Sequence, residues 1–234
     1  QSEQIRKDFV SNVSHELKTP ITSIKGFVET LEDGACEDPD LLKRFLGIIG
    51  SQADNMHAII EDLLQLSRLD EQSAGGGESL VDPADVLNSA VERIRDAVRE
   101  KGMHLSLSGE ADLRVKGNPG LLEQAVFNLL DNAGKYSDAG GEIRTALSRE
   151  GEIVRIVVSD KGCGIPEGDQ PRIFERFYRV DKGRSRATGG TGLGLAIVKH
   201  IILVHGGRVT VESRLGEGSV FTLTLPAAGP DTDE

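Results

Sequence analysis

The chain has 234 residues, a formal net charge of −11 and 38% hydrophobic residues, with 4% aromatics and no tryptophan. This length accommodates one large domain or two small ones, and the composition is typical of a soluble protein with cores of leucine, isoleucine and valine. Binding of a phosphate backbone requires a basic face, so the acidic charge balance argues against nucleic acid as the main partner.

The cysteines and the start of the chain bear on its cellular setting. Cys36 and Cys163 are the only cysteines and lie far apart, which indicates a reducing compartment without a disulfide framework. No apolar run is long enough to span a bilayer, and no signal peptide is recognisable. Because the sequence starts at Gln1 instead of methionine, we expect it to be a piece of a longer protein.

Residues 1–72 have the pattern of two long helices joined by a turn. Apolar side chains recur at spacings of three and four residues in both halves, as on one face of a helix. They are Phe9, Val13, Leu17, Ile21, Ile24, Val28 and Leu31 in the first helix, and Leu42, Leu46, Ile49, Ala53, Met56, Ile60 and Leu63 in the second. Turn-forming residues between Asp33 and Pro39 separate the two helices.

Both apolar stripes are too wide to be buried within a single hairpin. The second stripe is widened further by Leu41, Phe45, Ile48, Ile59 and Leu66. Two hairpins that form a four-helix bundle would bury both stripes, so the pattern predicts a homodimer. The alternative is a monomeric hairpin that packs against the remainder of the chain.

A glycine-rich segment at residues 73–79 lacks periodicity and predicts a flexible linker. After it, helices and strands alternate. Helices are predicted at 83–101, 119–136 and 193–205, and strands at 104–107, 142–148, 153–159, 208–213 and 219–225. Helices beside a mostly antiparallel sheet predict an α/β sandwich over residues 80–228. We expect the acidic residues 229–234 to be a disordered tail.

His15 has the most informative position in the first helix. It lies two residues from Val13 and from Leu17, about 200° around the helix from each, so its imidazole is predicted to face solvent. Glu16 follows directly, and Thr19 lies one turn further along. An exposed imidazole is a nitrogen nucleophile at neutral pH, and a neighbouring carboxylate can take up its proton. The alternative is a surface histidine without a role, which is our interpretation of the remaining histidines.

Two further patterns point to a phosphate ligand. Asn128, Asn132 and Lys135 are spaced along one face of a predicted helix, and two amides with an ammonium suit Mg²⁺ and phosphate oxygens. A solvated polar face is the alternative for this helix. The glycine-rich segment 189–195 precedes another helix, where free N–H groups and the helix dipole favour phosphate. No strand–helix–strand unit surrounds these glycines, so they do not indicate a Rossmann fold.

The residues around His15 carry a family resemblance. The segment 14–20, SHELKTP, resembles the phosphoacceptor motif of sensor histidine kinases at every position, and the segment 62–69, DLLQLSRL, resembles the same family. The similarity is strongest to the subgroup that includes phosphate-starvation sensor kinases. It implies that residues 1–72 form the dimerisation and phosphotransfer domain. It also implies that residues 80–228 form a catalytic domain of the ATP-binding type shared with Hsp90 and type II topoisomerases.

Four segments of the second region resemble the ATP-binding boxes of that family. They are 128–136 (N box), 160–166 (first glycine box), 173–179 (F box) and 189–195 (second glycine box). The resemblance implies ATP and Mg²⁺ as cofactors, with Asn132 and Asn128 as metal ligands. The implied nucleotide-binding residues are Asn128, Asn132, Lys135, Tyr136, Asp160, Gly162, Gly164, Ile165, Phe177, Gly190, Thr191, Gly192, Leu193, Gly194 and Leu195.

Roles for single residues follow from the same resemblance. Asp160 would accept the adenine amino group, Arg179 would reach the γ-phosphate, and residues 180–188 would form a mobile lid. Hydrolases of this fold have a general-base glutamate four residues before the metal-binding asparagine. This chain has Asn128 there, and an amide cannot deprotonate water. The pocket is therefore expected to hold ATP until His15 is presented.

The implied reaction is autophosphorylation of His15 by Mg-ATP, followed by transfer to an aspartate of a response regulator. His15, Glu16, Thr19 and Arg179 form the predicted catalytic set, and Thr19 also fits a signature for dephosphorylating the regulator. A predominantly phosphatase protein and a nucleotide-binding scaffold without transfer are the alternatives. Expected partners are the receiver domain of the regulator and a second copy of the chain. We expect a position on the cytoplasmic side, with the full-length protein anchored in the bacterial inner membrane through upstream segments.

Overall fold

The computed structural model describes residues 2–72, 79–181 and 190–228. The helices are α1 Ser2–Glu32, α2 Pro39–Gln72, α3 Pro83–Glu100, α4 Pro119–Tyr136 and α5 Gly194–Val204. The strands are β1 Ser79–Val81, β2 His104–Gly109, β3 Val115–Gly117, β4 Glu142–Glu150, β5 Ile153–Asp160, β6 Arg208–Arg214 and β7 Gly218–Pro226. Most of the predicted linker and lid, and the whole predicted tail, lie outside the described residues.

Helices α1 and α2 form the predicted hairpin. Gly34 ends the first helix with a φ of 110°, a left-handed conformation that glycine adopts without steric cost, and a short 3-10 turn leads into α2. The rings of Phe27 and Phe45 pack across the pair with centroids 5.0 Å apart. Several apolar side chains of the hairpin stay exposed in the single chain, namely Val10, Ile21, Val28, Leu46, Ile60 and Leu64. One hairpin alone therefore leaves a substantial apolar surface uncovered.

The second region is built on a five-stranded sheet with the order β2-β4-β5-β7-β6. Strand β2 is parallel to β4, and the other neighbours are antiparallel, so the predicted mostly antiparallel sheet is confirmed. A second sheet pairs β1 with β3. These strands of three residues were not predicted, because a segment that short has no readable periodicity. Ser79, assigned to the linker from the sequence, instead begins β1 opposite Gly117.

Helices α3, α4 and α5 pack together over one face of the large sheet. Helix α3 begins where Asp82 accepts a hydrogen bond from the Ala84 amide (2.8 Å) and Pro83 occupies the first turn, which are common helix-start features. Strand β5 alternates buried and accessible positions, as expected for a sheet covered on one side. The two layers enclose a core of buried leucine, isoleucine and valine side chains. This is the α/β sandwich predicted from the sequence.

The hairpin packs directly against the sandwich through α2 and α5. Leu66 and Leu69 of α2 are each 1% exposed and belong to the same apolar cluster as the core of the sandwich. This burial fixes the side of α2 that faces the second region. Among the described residues, no helix has the length and apolarity needed to cross a membrane.

Candidate functional site

His15 is exposed on α1, as its helical position predicts. Thr19, one turn further along, donates its hydroxyl hydrogen to the carbonyl oxygen of His15 (3.2 Å). Pro20 lies within α1 and has no N–H, so it cannot donate to the carbonyl of Glu16 four residues earlier. Because its side chain is exposed, His15, the phosphoacceptor candidate, is accessible on α1. Glu16, the next residue, carries a carboxylate.

A cavity of about 520 Å³ opens between α4, α5, the loops after β5 and the hairpin. Its volume is in the range of sites for small-molecule ligands. The cavity brings together most of the predicted nucleotide-binding residues and one predicted catalytic residue. These are Asn128, Asn132, Lys135, Tyr136, Asp160, Gly164, Ile165, Gly190, Thr191, Gly192, Gly194, Leu195 and Arg179.

Three residues predicted to bind nucleotide do not line the cavity. Leu193 is completely buried and belongs to the core. The amide of Gly162 donates to Asp160 Oδ1 (2.8 Å), and the amide of Phe177 donates to the Gly192 carbonyl (2.8 Å). The resemblance identified the boxes as segments but did not indicate which of their residues face the cavity.

The predicted polar face of α4 is present, but its members have different partners. The Asn128 side chain accepts a hydrogen bond from Gln124 Nε2 (2.8 Å) and donates to the carbonyl of Gly194 (3.2 Å). Asn128 therefore connects α4 to the first residue of α5. Two turns after Asn128, Lys135 Nζ lies 2.7 Å from a carboxylate oxygen of Asp131. Both residues line the cavity, so a phosphate oxygen would compete with Asp131 for the Lys135 ammonium group.

Asp160 ends β5 with its carboxylate in the cavity wall. Burial raises the pKa of this carboxyl group, while backbone hydrogen bonds from Gly162 and Ser219 act in the opposite direction. A half-buried acceptor of this kind suits a ligand N–H. Gly164 has a φ of +69°, and a Cβ there would overlap the carbonyl of Arg214. The loop thus needs glycine at this position because the turn between β6 and β7 packs against it.

Arg179 connects the F box, the second glycine box and the hairpin. Its side chain is 9% exposed, and its guanidinium donates to the carbonyl of Gly190. The same guanidinium lies 3.8 Å from the Glu16 carboxylate. The residue next to His15 and the cation at the cavity edge are therefore in direct electrostatic contact.

Comparison with known proteins identifies the two regions. Residues 5–72 match the His Kinase A (phospho-acceptor) domain, and residues 117–229 match the histidine kinase-, DNA gyrase B- and HSP90-like ATPase family. The structure of the mycobacterial sensor histidine kinase MprB is 32% identical, with a TM-score of 0.57, and the match covers 65% of this chain and 99% of that chain. The chain belongs to the sensor histidine kinase family.

Two further relatives are longer than this chain. The sensor-like histidine kinase SenX3 of Mycolicibacterium smegmatis is 42% identical over 224 residues, which are 96% of this chain and 58% of SenX3. The chain therefore spans little more than half the length of this relative. Full-length ShkA, solved in complex with AMPPNP, is 27% identical with a TM-score of 0.68, and the match covers 97% of this chain and 46% of that chain. The predicted family and fold class are confirmed.

The cavity also contains a residue that the sequence did not reveal. Asp62 of α2 lines the cavity and accepts a hydrogen bond from the Thr191 hydroxyl (2.6 Å). Burial raises the pKa of the Asp62 carboxyl group, the Thr191 hydrogen bond and Lys135 lower it, and Asp131 and Glu61 raise it further. Helical spacing did not indicate Asp62 as a site residue, because its partner Thr191 comes from a distant segment of the chain.

Other residues of the cavity wall were not named singly as site residues, although seven of them lie in the predicted boxes or at the start of the predicted lid. They are Ala58, Gln124, Phe127, Asp131, Cys163, Pro166, Ile173, Tyr178, Val180, Asp181, Leu215, Ser219 and Phe221. Gln124 and Asp131 lie on the same α4 face as Asn128, so helical spacing carried a signal for both. The contribution of Leu215 depends on how the turn between β6 and β7 folds back, which no local pattern predicts.

Proposed function

We propose that this chain is the catalytic core of a sensor histidine kinase, which transfers the γ-phosphoryl group of ATP to His15. The observation that carries the proposal is the contact between Glu16 and Arg179 at the cavity edge. It joins the phosphoacceptor helix to a cavity that contains the amide, ammonium, carboxylate and glycine groups expected for a nucleotide. ShkA, a more distant member of the family, binds the ATP analogue AMPPNP, which supports a nucleotide here.

The side chains around the cavity match the parts of Mg-ATP. Asp160 is suited to accept the adenine amino hydrogen, and Lys135 and Arg179 offset phosphate charge. Among the described residues, no group of three or more His, Cys, Asp or Glu side chains forms a metal cage. Mg²⁺ usually takes few protein ligands beside phosphate oxygens and water, and Asn132, which lines the cavity, is its proposed protein ligand. Bound Mg²⁺ would neutralise charge on the phosphate oxygens.

The chemical step assigns distinct tasks to His15 and Glu16. One ring nitrogen of His15 forms a bond to the γ-phosphorus while the bond from that phosphorus to the bridging oxygen breaks, and ADP leaves with the electron pair. Glu16, the next residue, accepts the proton that the imidazole loses. Before this step Glu16 must leave Arg179 and contact the imidazole of His15. The contact between Glu16 and Arg179 therefore has to open.

The pocket is not arranged for hydrolysis of ATP by water. At the position where related hydrolases carry a glutamate, the Asn128 amide is hydrogen-bonded to Gln124 and to the Gly194 carbonyl. An amide cannot act as a general base, so we propose that ATP is held until His15 approaches. This favours the kinase over an ATP hydrolase.

The partners proposed for the phosphorylated chain are a response regulator and a second copy of the chain. The accessible face of α1 around His15 gives a receiver domain room to place its aspartate. We also propose that the regulator is dephosphorylated on this face with the help of Thr19. The exposed apolar residues of α1 and α2 support a dimeric four-helix bundle. Upstream segments would anchor the full-length protein in the bacterial inner membrane.

The decisive experiment is labelling of the chain with ATP that carries a radioactive γ-phosphate. We expect a label that is lost in acid and kept in alkali, as is typical of phosphohistidine, and that is absent from His15→Gln. Binding of ATP to His15→Gln should be preserved, because His15 does not line the cavity. An acid-stable label, or a label that persists in His15→Gln, would overturn the proposal.

A further inference from the structure

Helix α2 places a carboxylate in the nucleotide cavity of the neighbouring domain. Asp62, Leu66 and Leu69 lie at helical spacings of four and three residues, which puts them on one face of α2. The two leucines are each 1% exposed within the shared apolar cluster. Their packing holds Asp62 at the cavity wall, so its position there is part of the contact between the two domains.

Asp62 accepts a hydrogen bond from a hydroxyl group of the second glycine box. Thr191 Oγ1 donates its hydrogen to Asp62 Oδ2 (2.6 Å) and accepts a hydrogen bond from the Leu193 amide (3.1 Å) at the start of α5. A hydroxyl group has a single hydrogen to donate. Thr191 therefore donates either to Asp62 or to a phosphate oxygen of a bound nucleotide.

Charge adds to this competition. The cavity wall around Asp62 contains a second carboxylate, Asp131, which is paired with Lys135. A triphosphate in the same cavity brings several negative charges close to Asp62, and repulsion between them is strong where water is partly excluded. Lys135 is a cation for which Asp131, Asp62 and the phosphates all compete.

We propose that Asp62 is a residue of the nucleotide site that competes with the phosphate groups of ATP, and that ATP binding thereby loosens the hairpin from the catalytic domain. This inference rests on the proposed function. Binding and domain contact are reciprocally linked, so the docked hairpin weakens ATP binding by the same factor by which ATP weakens docking. Once Asp62 has released Thr191, the hairpin can move and present His15.

The test compares the affinities of ATP, ADP and adenosine for three proteins by calorimetry at equal Mg²⁺ concentration. The proteins are the wild-type chain, Asp62→Asn and the control Asp54→Asn, which removes an exposed charge from the same helix. Asp62→Asn keeps the size of the side chain and an acceptor for Thr191 but removes its charge. We expect about tenfold tighter binding of ATP, a smaller gain for ADP and no change for adenosine. Asp54→Asn should match the wild type throughout.

A merely structural role for Asp62 would change all three affinities alike, because adenosine occupies the same cavity without phosphates. An equal change for adenosine, or an unchanged ATP affinity in Asp62→Asn, would therefore overturn the inference. Asp62→Glu retains the charge and should restore the discrimination against ATP; failure to do so counts against the inference as well.

The same experiment separates this inference from the proposed function. If the wild-type chain binds ATP and labels His15 while Asp62→Asn behaves like the wild type, only the role of Asp62 is refuted. If the wild-type chain binds no ATP, the proposed function fails and the inference fails with it.

Discussion

The guanidinium of Arg179 lies 3.8 Å from the carboxylate of Glu16, across the boundary between the two domains. Both residues are proposed to act in phosphoryl transfer, and in this arrangement each is the electrostatic partner of the other. Because Arg179 is only 9% exposed, solvent screens the pair weakly. The structure is therefore a docked arrangement, in which Glu16, the proposed proton acceptor beside His15, is held by the cation at the edge of the cavity.

Replacing Arg179 tests its role in transfer. Arg179→Ala should lower the rate of autophosphorylation about a hundredfold, because a preorganised cation near the developing phosphate charge is lost. Arg179→Lys should restore little, since an ammonium cannot contact Gly190 and Glu16 in the same planar geometry. Single-turnover labelling measures the rate. Arg95→Ala, at an exposed arginine of α3, is the control and should label at the wild-type rate.

Asp160 should affect affinity and stability in opposite directions. Asp160→Asn is expected to weaken ATP binding about ten- to a hundredfold, because a charged acceptor for the adenine amino group is lost. Asp138→Asn, at an exposed aspartate, should leave the affinity unchanged. Calorimetric titration with ATP measures both. Equal affinity of Asp160→Asn and the wild type would contradict the assignment.

The same substitution should stabilise the fold at neutral pH. Burial raises the pKa of Asp160 in the folded state, so the stability present below the unfolded pKa is lost as pH rises through the folded pKa. Asn cannot ionise and does not suffer this loss. The melting temperature of Asp160→Asn should therefore exceed that of the wild type at pH 7, and the difference should vanish below about pH 4, the ordinary pKa of aspartate. A gain that persists in acid would point to another cause.

Asn132 and Asn128 should differ in their dependence on Mg²⁺. Asn132→Ala should bind ATP with nearly the same affinity with and without Mg²⁺, because the proposed protein ligand of the ion is missing. Asn128→Ala should lose about tenfold in affinity under both conditions, because its hydrogen bond to the Gly194 carbonyl orders the start of α5. Titrations at several Mg²⁺ concentrations distinguish the two. If Asn128→Ala also lost its dependence on Mg²⁺, Asn128 would be a ligand as well, and if Asn132→Ala kept that dependence, the assignment of Asn132 would be wrong.

Thr19 should matter for the regulator more than for the kinase reaction. Its hydroxyl hydrogen is donated to the His15 carbonyl, but its oxygen keeps a lone pair that can orient a water molecule on the exposed face. Thr19→Ala should slow dephosphorylation of the regulator and leave autophosphorylation largely intact. Thr22→Ala is a matched control, because its hydroxyl makes the same kind of bond to the Lys18 carbonyl (2.9 Å). Equal loss of both activities in Thr19→Ala would indicate a structural role.

Substitutions on the exposed apolar face of the hairpin test the dimer. Leu46→Asp and Ile60→Asp should yield monomers that still bind ATP, because a charge cannot be buried in the proposed bundle without a partner. Leu203→Asp is the control: Leu203 is 56% exposed and Leu46 53%, but Leu203 lies on α5 in the other domain. Light scattering measures the mass. A wild-type chain that is monomeric at all concentrations would exclude the bundle.

Most helices and strands could be predicted because the periodicity and the capping residues that indicate them lie within the segment itself. The bounds of α4 agree with the prediction at both ends, where an Asn118 cap and Pro119 mark the start of the helix. Strands β1 and β3 were missed, since each is stabilised by pairing with the other across a long stretch of sequence. For the candidate site, the sequence identified the ATP-binding boxes as segments. It did not show that Leu193, predicted to bind nucleotide, is buried in the core.

The sequence by itself determined the family, the two-domain plan, the exposure of His15 and the chemical groups available for a nucleotide. These properties depend on residue identity and on spacing within one element, and both can be read directly from the sequence. Only the tertiary structure decided that Arg179 meets Glu16, that Asn128 supports α5, and that Asp62 reaches Thr191. The residues of each pair lie far apart in the chain, so their contact depends on how helices and domains pack, and no local periodicity carries that information.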